Sequence, residues 1–254
     1  MRSGNGVILE LDNVFLRRGE TVILDRLSWR VKQGEHWGVV GPNGSGKTTM
    51  LKVATGAMWP TSGAVSALGH QYGKVDLHTL RRRIGWVSSA LEELIPTYST
   101  AFEVVLSGLF ASYGIYDNAA QGDLDRAAEL LGLMGCDGIA QRRYGVLSQG
   151  EKQRVLVARS LMTEADILIM DEPASGLDLS AREILLSAVD GLARKGSDLS
   201  LVFVTHHIEE LVPAITHVAV IVTGSVLAAG AKDAVLTSET LSEAFGVAVE
   251  VDRR

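Results

Sequence analysis

The chain has one cysteine, Cys136, so it cannot close an internal disulfide. It has no excess of positive charge either: 24 Lys and Arg stand against 30 Asp and Glu, a formal net charge of −6. A dedicated nucleic-acid coat needs a basic footprint, so that class is set aside. No apolar run reaches the ~20 residues of a membrane-spanning helix. The most apolar stretch, Val218 to Ala231, is broken by Thr223, Gly224 and Ser225. No apolar core follows Arg2, so a secretory signal is not expected. Internal repeats, low-complexity tracts and linkers are missing too. What remains is an ordinary globular composition of 254 residues, 46% hydrophobic and 21% charged, long enough to bury a core without cross-links. A soluble chain is expected, and any work at a membrane would go through a partner.

Periodicity changes along the chain. Val7 to Leu11 and Leu27 to Val31 alternate at period two, as half-buried strands do. Ile84 to Val87 reads as a short strand. Between residues 95 and 162 the pattern turns helical, over Thr100 to Ala111, Leu124 to Met134 and Glu151 to Met162. Ile167 to Met170 and Leu201 to Val204 are short continuous apolar runs, typical of parallel strands buried on both faces. Residues 180–195 read as the helix crossing between them. Two more strands follow around Gly224-Ser225. The pattern is an α/β core interrupted by a helical insert.

The strongest motif is Gly41-Pro42-Asn43-Gly44-Ser45-Gly46-Lys47-Thr48-Thr49, which fits G-x-x-x-x-G-K-[ST] between an apolar strand and a helix. Glycines let the backbone wrap tightly and aim N–H groups at an anion, and the helix N-terminus adds roughly half a positive charge. Lys47 can reach β- and γ-phosphates, and Thr48 can ligate Mg²⁺. Such a loop needs a carboxylate at the end of another strand. Ile167 to Met170 leads into Asp171-Glu172. Successive strand residues point to opposite sides, so the two carboxylates can take two jobs. Asp171 would hold Mg²⁺, and Glu172 would orient or deprotonate the attacking water. Leu147-Ser148-Gln149-Gly150-Glu151 reads, by itself, as a capping box opening a helix.

Taken together, the motifs resemble the nucleotide-binding subunit of an ATP-binding cassette (ABC) transporter over nearly the whole chain. Gly41 to Thr49 matches its Walker A motif, and Ile167 to Glu172 its Walker B with the catalytic glutamate. Leu147 to Glu151 matches the signature, usually L-S-G-G-Q. Ser175 to Asp178 matches the D-loop, and Thr205-His206 the switch histidine. The resemblance implies an α/β P-loop fold with a RecA-like parallel-sheet core, an N-terminal antiparallel β part and a helical signature subdomain. It implies one nucleotide-binding domain over 1–254, with its core at 1–94 and 163–254 and the helical subdomain at about 95–162. It further implies a head-to-tail dimer sandwiching two ATP with Mg²⁺, where Ser148 and Gly150 of one copy meet the γ-phosphate held by the other. His206 would sense that γ-phosphate. A separate transmembrane subunit would be driven, with the chain cytoplasmic at the inner face of the cell membrane and no nucleic acid involved. Weaker likeness, in Ile84 to Ser89 and Val105 to Gly108, points to bacterial cassettes related to molybdate-type ATPases.

Four positions depart from that family pattern. Gln149 stands for a signature Gly, and Glu151 for its Gln. Ser88-Ser89 occupies the place of a Gln after the strand at Ile84. The usual adenine-stacking aromatic falls near Arg17-Arg18, and a guanidinium plane can stack on a base, which makes Arg18 the candidate platform. Trp37 is the aromatic alternative, with a core role expected. The alternative reading of the whole is a soluble cassette ATPase acting on ribosomes, DNA or a regulator.

Overall fold

The computed structural model describes residues 6–110, 119–163, 165–195 and 198–252. Met1 to Asn5 and the expected helix end at Ala111 lie outside them. In chain order come β1 (Val7–Arg18), β2 (Thr21–Lys32), β3 (His36–Val40) and α1 (Lys47–Ala54). They are followed by β4 (Ser62–Ala67), β5 (His70–Gln71), α2 (Leu77–Arg81), β6 (Ile84–Val87) and α3 (Ser89–Glu92). The helices α4 (Ala101–Ser107), α5 (Gln121–Leu133) and α6 (Gln149–Ser160) come next. The chain then returns to strands: β7 (Ile167–Asp171), α7 (Leu179–Arg194), β8 (Ser200–Val204), β9 (His217–Val222) and β10 (Ser225–Ala231), ending in α8 (Lys232–Val235) and α9 (Ser238–Phe245).

The strands form two sheets. One is antiparallel, in the order β2-β1-β4-β5. The other runs β10-β9-β3-β8-β7-β6 and is parallel except for β10 at its edge. The second sheet is buried on both faces, which explains its unbroken apolar runs. Val39, Ile169, Val202, Val204 and Ile221 face one core, shared with Leu9, Leu11, Leu27, Trp29 and Val31 of the antiparallel sheet and with α1. Val40, Leu168, Met170, Leu201 and Phe203 face the other, shared with apolar residues of α4, α5, α6 and α7. Burying such side chains contributes roughly 1.5–3 kcal/mol each. The layers are therefore antiparallel sheet, α1, central sheet and helices.

The mixed α/β cassette fold expected from the motifs is the fold observed. Two local features follow. The C-terminal segment, with little sequence signal, forms α9, opened by the Thr237 hydroxyl accepting from Thr240 N at 3.2 Å and closed by Gly246 at φ 67°. The run Arg81 to Arg83 is exposed, with two of its members tied to neighbours. Arg83 makes two 2.6 Å contacts with Asp166, and Arg81 donates to the Gly56 carbonyl. Four neighbouring parallel strands, β3, β8, β7 and β6, end on one side. The carboxyl edge of a parallel sheet is where α/β proteins bind ligands.

Candidate nucleotide site

After Val40 the chain turns at Gly41, where a Cβ would overlap the Ile221 carbonyl oxygen, so only glycine lets the loop leave the sheet there. Gly46, at φ 101°, caps α1 in the left-handed conformation with no side chain over the helix end. The first N–H groups of α1 have no acceptor within the helix. They line a pocket of about 180 Å³ formed by Asn43, Gly44, Gly46, Lys47, Thr48 and Thr49, with Ile23 from β2 and Glu172 opposite. Lys47 Nζ donates to the Gly41 and Pro42 carbonyls at 2.8 and 3.0 Å. Burial pulls its pKa down, against the pull of the Glu172 and Asp171 carboxylates. Ser45 is buried within the loop and its N–H donates to the Pro42 carbonyl at 3.2 Å.

Asp171 ends β7 with only 9% of its surface exposed, and Thr48 Oγ1 lies 3.3 Å from its Oδ1. Burial pushes the Asp171 carboxyl up, and the neighbouring Glu172 charge adds to the rise. Thr48 and Asp171 also line a second hollow with Lys52, Trp86, Ser88 and Glu172. Two hard oxygens side by side, one a carboxylate, are donors that Mg²⁺ accepts.

Glu172 has φ 50°, a left-handed conformation that costs a non-glycine residue about 1–3 kcal/mol and is typical of functional sites. Pro173 behind it disfavours the right-handed helical region. The turn is pinned by Glu172 N donating to the Val204 carbonyl at 2.9 Å. His206 comes from the end of the adjacent strand β8, its Nδ1 3.2 Å from Glu172 Oε1. Beneath it the buried Thr205 hydroxyl donates to Glu210 at 2.6 Å and accepts from His207 N at 3.0 Å.

Ser148 and Gly150 do not line the pocket of their own chain. Ser148 caps α6 in a reciprocal box: its Oγ accepts from Glu151 N at 3.4 Å, and Glu151 Oε2 accepts from Ser148 N at 2.7 Å. Burial alone would raise the Glu151 carboxyl, but the Ser148 hydrogen bonds, then Arg142 and Arg154, hold it below the ordinary range. The Ser148 hydroxyl keeps its proton for another acceptor. Gly150 is buried, and a Cβ on it would come within 2.7 Å of Ala181 Cβ in α7.

Arg18 is not brought to the pocket. It is exposed at the end of β1, and its guanidinium lies 3.7 Å from the Met58 sulfur. Ile23 is the β2 residue that lines the site instead. Trp37 is a core residue, edge-on to Trp29 and stacked on His217. Sequence reasoning missed Ile23, Lys52 and Glu210. Lys52 was findable, because it lies one helical turn beyond Thr48 on α1. Ser88 stands at the site, and the Ser89 side chain lies outside the described ones. Among the described residues no cluster of three His, Cys, Asp or Glu could hold a metal ion by itself. No described helix is long and apolar enough to cross a membrane.

A glycine-rich loop on a helix N-terminus, facing a strand-end Asp-Glu pair and a histidine, defines a P-loop nucleoside-triphosphate hydrolase. More narrowly, the chain belongs to the ABC transporter family, whose model matches residues 24–175. It is 42% identical over 246 residues to YlmA of Bacillus subtilis, described as an uncharacterized ABC transporter ATP-binding protein, covering 96% of this chain and 93% of that one. It is 35% identical over 210 residues to the ABC transporter ATP-binding protein ModF of Escherichia coli, covering 82% of this chain but 43% of ModF. A solved dimeric ATP-binding cassette in a post-hydrolysis state with ADP and Pi superposes with a TM-score of 0.75, at 28% identity, over 88% of this chain and 98% of its own. The chain is an ATP-binding, ATP-hydrolysing cassette subunit.

Proposed function

We propose that two copies of this chain close head-to-tail around two ATP molecules and that the hydrolytic cycle drives a separate transmembrane subunit. One observation carries the reading: Glu172 and His206 meet at the edge of the P-loop pocket, beside the Thr48–Asp171 pair. Lys47 leaves its carbonyl partners for the β- and γ-phosphates, joined by the amides of Gly41 to Thr49. Thr48 and Asp171 would hold Mg²⁺, which would supply positive charge to the phosphates. Glu172 orients and deprotonates the attacking water, and His206 holds the γ-phosphate. The second copy closes the site with its Ser148 hydroxyl and the first-turn amides of α6. The family's description and the lack of a membrane-crossing helix among the described residues support a membrane partner and a place at the cytoplasmic face. Residues 95–162 act as the helical arm on a core of 1–94 and 163–254. ModF-like kinship extends to the cassette alone, since less than half of ModF is matched.

Glu172→Gln removes the base while keeping its shape. With Mg²⁺ and ATP this variant is expected to run as a dimer in sedimentation. A monomer at saturating ATP and high protein concentration rules the sandwich out.

A further inference from the structure

The turn after β6 and the opening turn of α6 are nearly sixty residues apart, yet one carboxylate joins them. Glu92 closes α3. Its Oε2 accepts from Gln149 Nε2 at 2.6 Å and from Gln153 Nε2 at 3.4 Å, and its Oε1 lies 3.4 Å from Lys152 Nζ. Only 17% of the Glu92 side chain is exposed. A carboxylate so far from water needs charge-assisted partners, and the first turns of α6 supply three. Lys152 also sits 5.6 Å above the centre of the Tyr144 ring. Burial raises the Tyr144 hydroxyl pKa, and the nearby Glu92 charge raises it further.

Both ends of this connection lie where the sequence departs from the family pattern. Gln149 replaces a signature glycine, and glycine has no side chain to reach Glu92. The α3 turn follows Ser88-Ser89, where a glutamine was expected. Ser88 lines the hollow beside Thr48 and Asp171, and Glu92 is one helical turn further along. Any displacement of Ser88 at that hollow would be passed along α3 to Glu92, and through Glu92 to the opening turns of α6.

We infer that Glu92 is a positioning residue, coupling a chain's own nucleotide site to the α6 turn that bears Ser148 and Gly150. What the α6 turn then does for a second copy rests on the sandwich reading; the link within one chain does not. The bridge makes the coupling depend on one carboxylate.

Hydrogen exchange tests this on the full chain. Peptides spanning 148–153 would be followed in the Glu172→Gln background, with and without Mg²⁺ and ATP, at a concentration where sedimentation shows monomer. In the parent, ATP is expected to slow exchange of the first α6 turn about threefold or more, as a local opening becomes costlier. Glu92→Ala is expected to abolish that change while leaving fluorescent-ATP affinity within about twofold, the ordinary scatter for a contact outside the pocket. Glu92→Gln, which still accepts from Gln149, should restore part of it. An equal slowing in Glu92→Ala and parent, or none in the parent, overturns the proposal. Should Glu92→Ala fail to fold, Gln149→Gly combined with Lys152→Ala decides: it leaves Glu92 only the 3.4 Å contact to Gln153, and a change fully retained there equally overturns the proposal. Failure to dimerise at high concentration would count against the sandwich alone.

Discussion

His206 Nδ1 and Glu172 Oε1 stand 3.2 Å apart across the ends of two paired strands, β8 and β7. The contact sets the histidine beside the carboxylate proposed as the base, which lines the P-loop pocket. Glu172→Gln should slow single-turnover hydrolysis ~10²–10⁴-fold, the usual worth of a positioned base. His206→Ala should also slow turnover, with ATP affinity kept within a few-fold. Quenched-flow kinetics beside calorimetric titration separates the two quantities, and a loss confined to affinity would refute both roles.

Asp171 is a cost to the fold. Its folded pKa is raised above the ordinary 3.8 by burial first and by Glu172 second. A carboxyl with a raised folded pKa favours the fold while protonated, so stability falls as pH rises from below 3.8 through the folded value and stays reduced above it. Asp171→Asn should therefore raise the Tm of the nucleotide-free protein at pH 7. Each ~1 kcal/mol regained corresponds to about 2–4 °C in a chain of this size. The gain should shrink on acidification, while Mg²⁺-dependent ATP binding weakens. Calorimetry across a pH series checks the sign.

Gly150 is fixed by packing as well as by any phosphate. Gly150→Ala would press a methyl against Ala181 and should cost about 1–3 kcal/mol, as overpacking does. The double variant Gly150→Ala with Ala181→Gly should recover most of that loss. Denaturant unfolding of the three proteins gives the coupling directly.

Thr205 anchors the histidine from below. Thr205→Val leaves the Glu210 carboxylate buried without its 2.6 Å partner. The expected loss is ~1–3 kcal/mol or more, since the orphaned group is charged. Turnover should fall along with it as His206 loses its footing, whereas ATP affinity should hold. Unchanged turnover would detach the Thr205–Glu210 pair from the site.

Much of this was legible in the sequence because the site depends on backbone geometry and short spacings. The Gly41 to Thr49 loop needs glycine at fixed offsets. Asp171 and Glu172 need only the end of a buried strand. The capping box at Ser148 and Glu151 is local, so its pattern sufficed. Contacts across the fold left no such trace. Arg18 stands near the place of the family's adenine-stacking aromatic, but the end of β1 carries it toward Met58, and Ile23 arrives at the pocket from β2. Glu92 and Gln149 meet only because α3 packs beside α6. Glu210 reads as an ordinary surface acid until Thr205 is seen to bind it. The helix α9 spans only eight residues, so the helical spacing of Leu241, Ala244 and Phe245 is too short a pattern to stand out.

The reciprocal cap on α6 bears on how two copies could meet. Ordering a loose backbone costs about 1–2 kcal/mol per residue at 25 °C. Because Ser148 and Glu151 already hold each other's N–H groups, the turn is formed in the isolated chain. A second copy approaching it would find a finished surface, and encounter rather than refolding would set the pace of assembly.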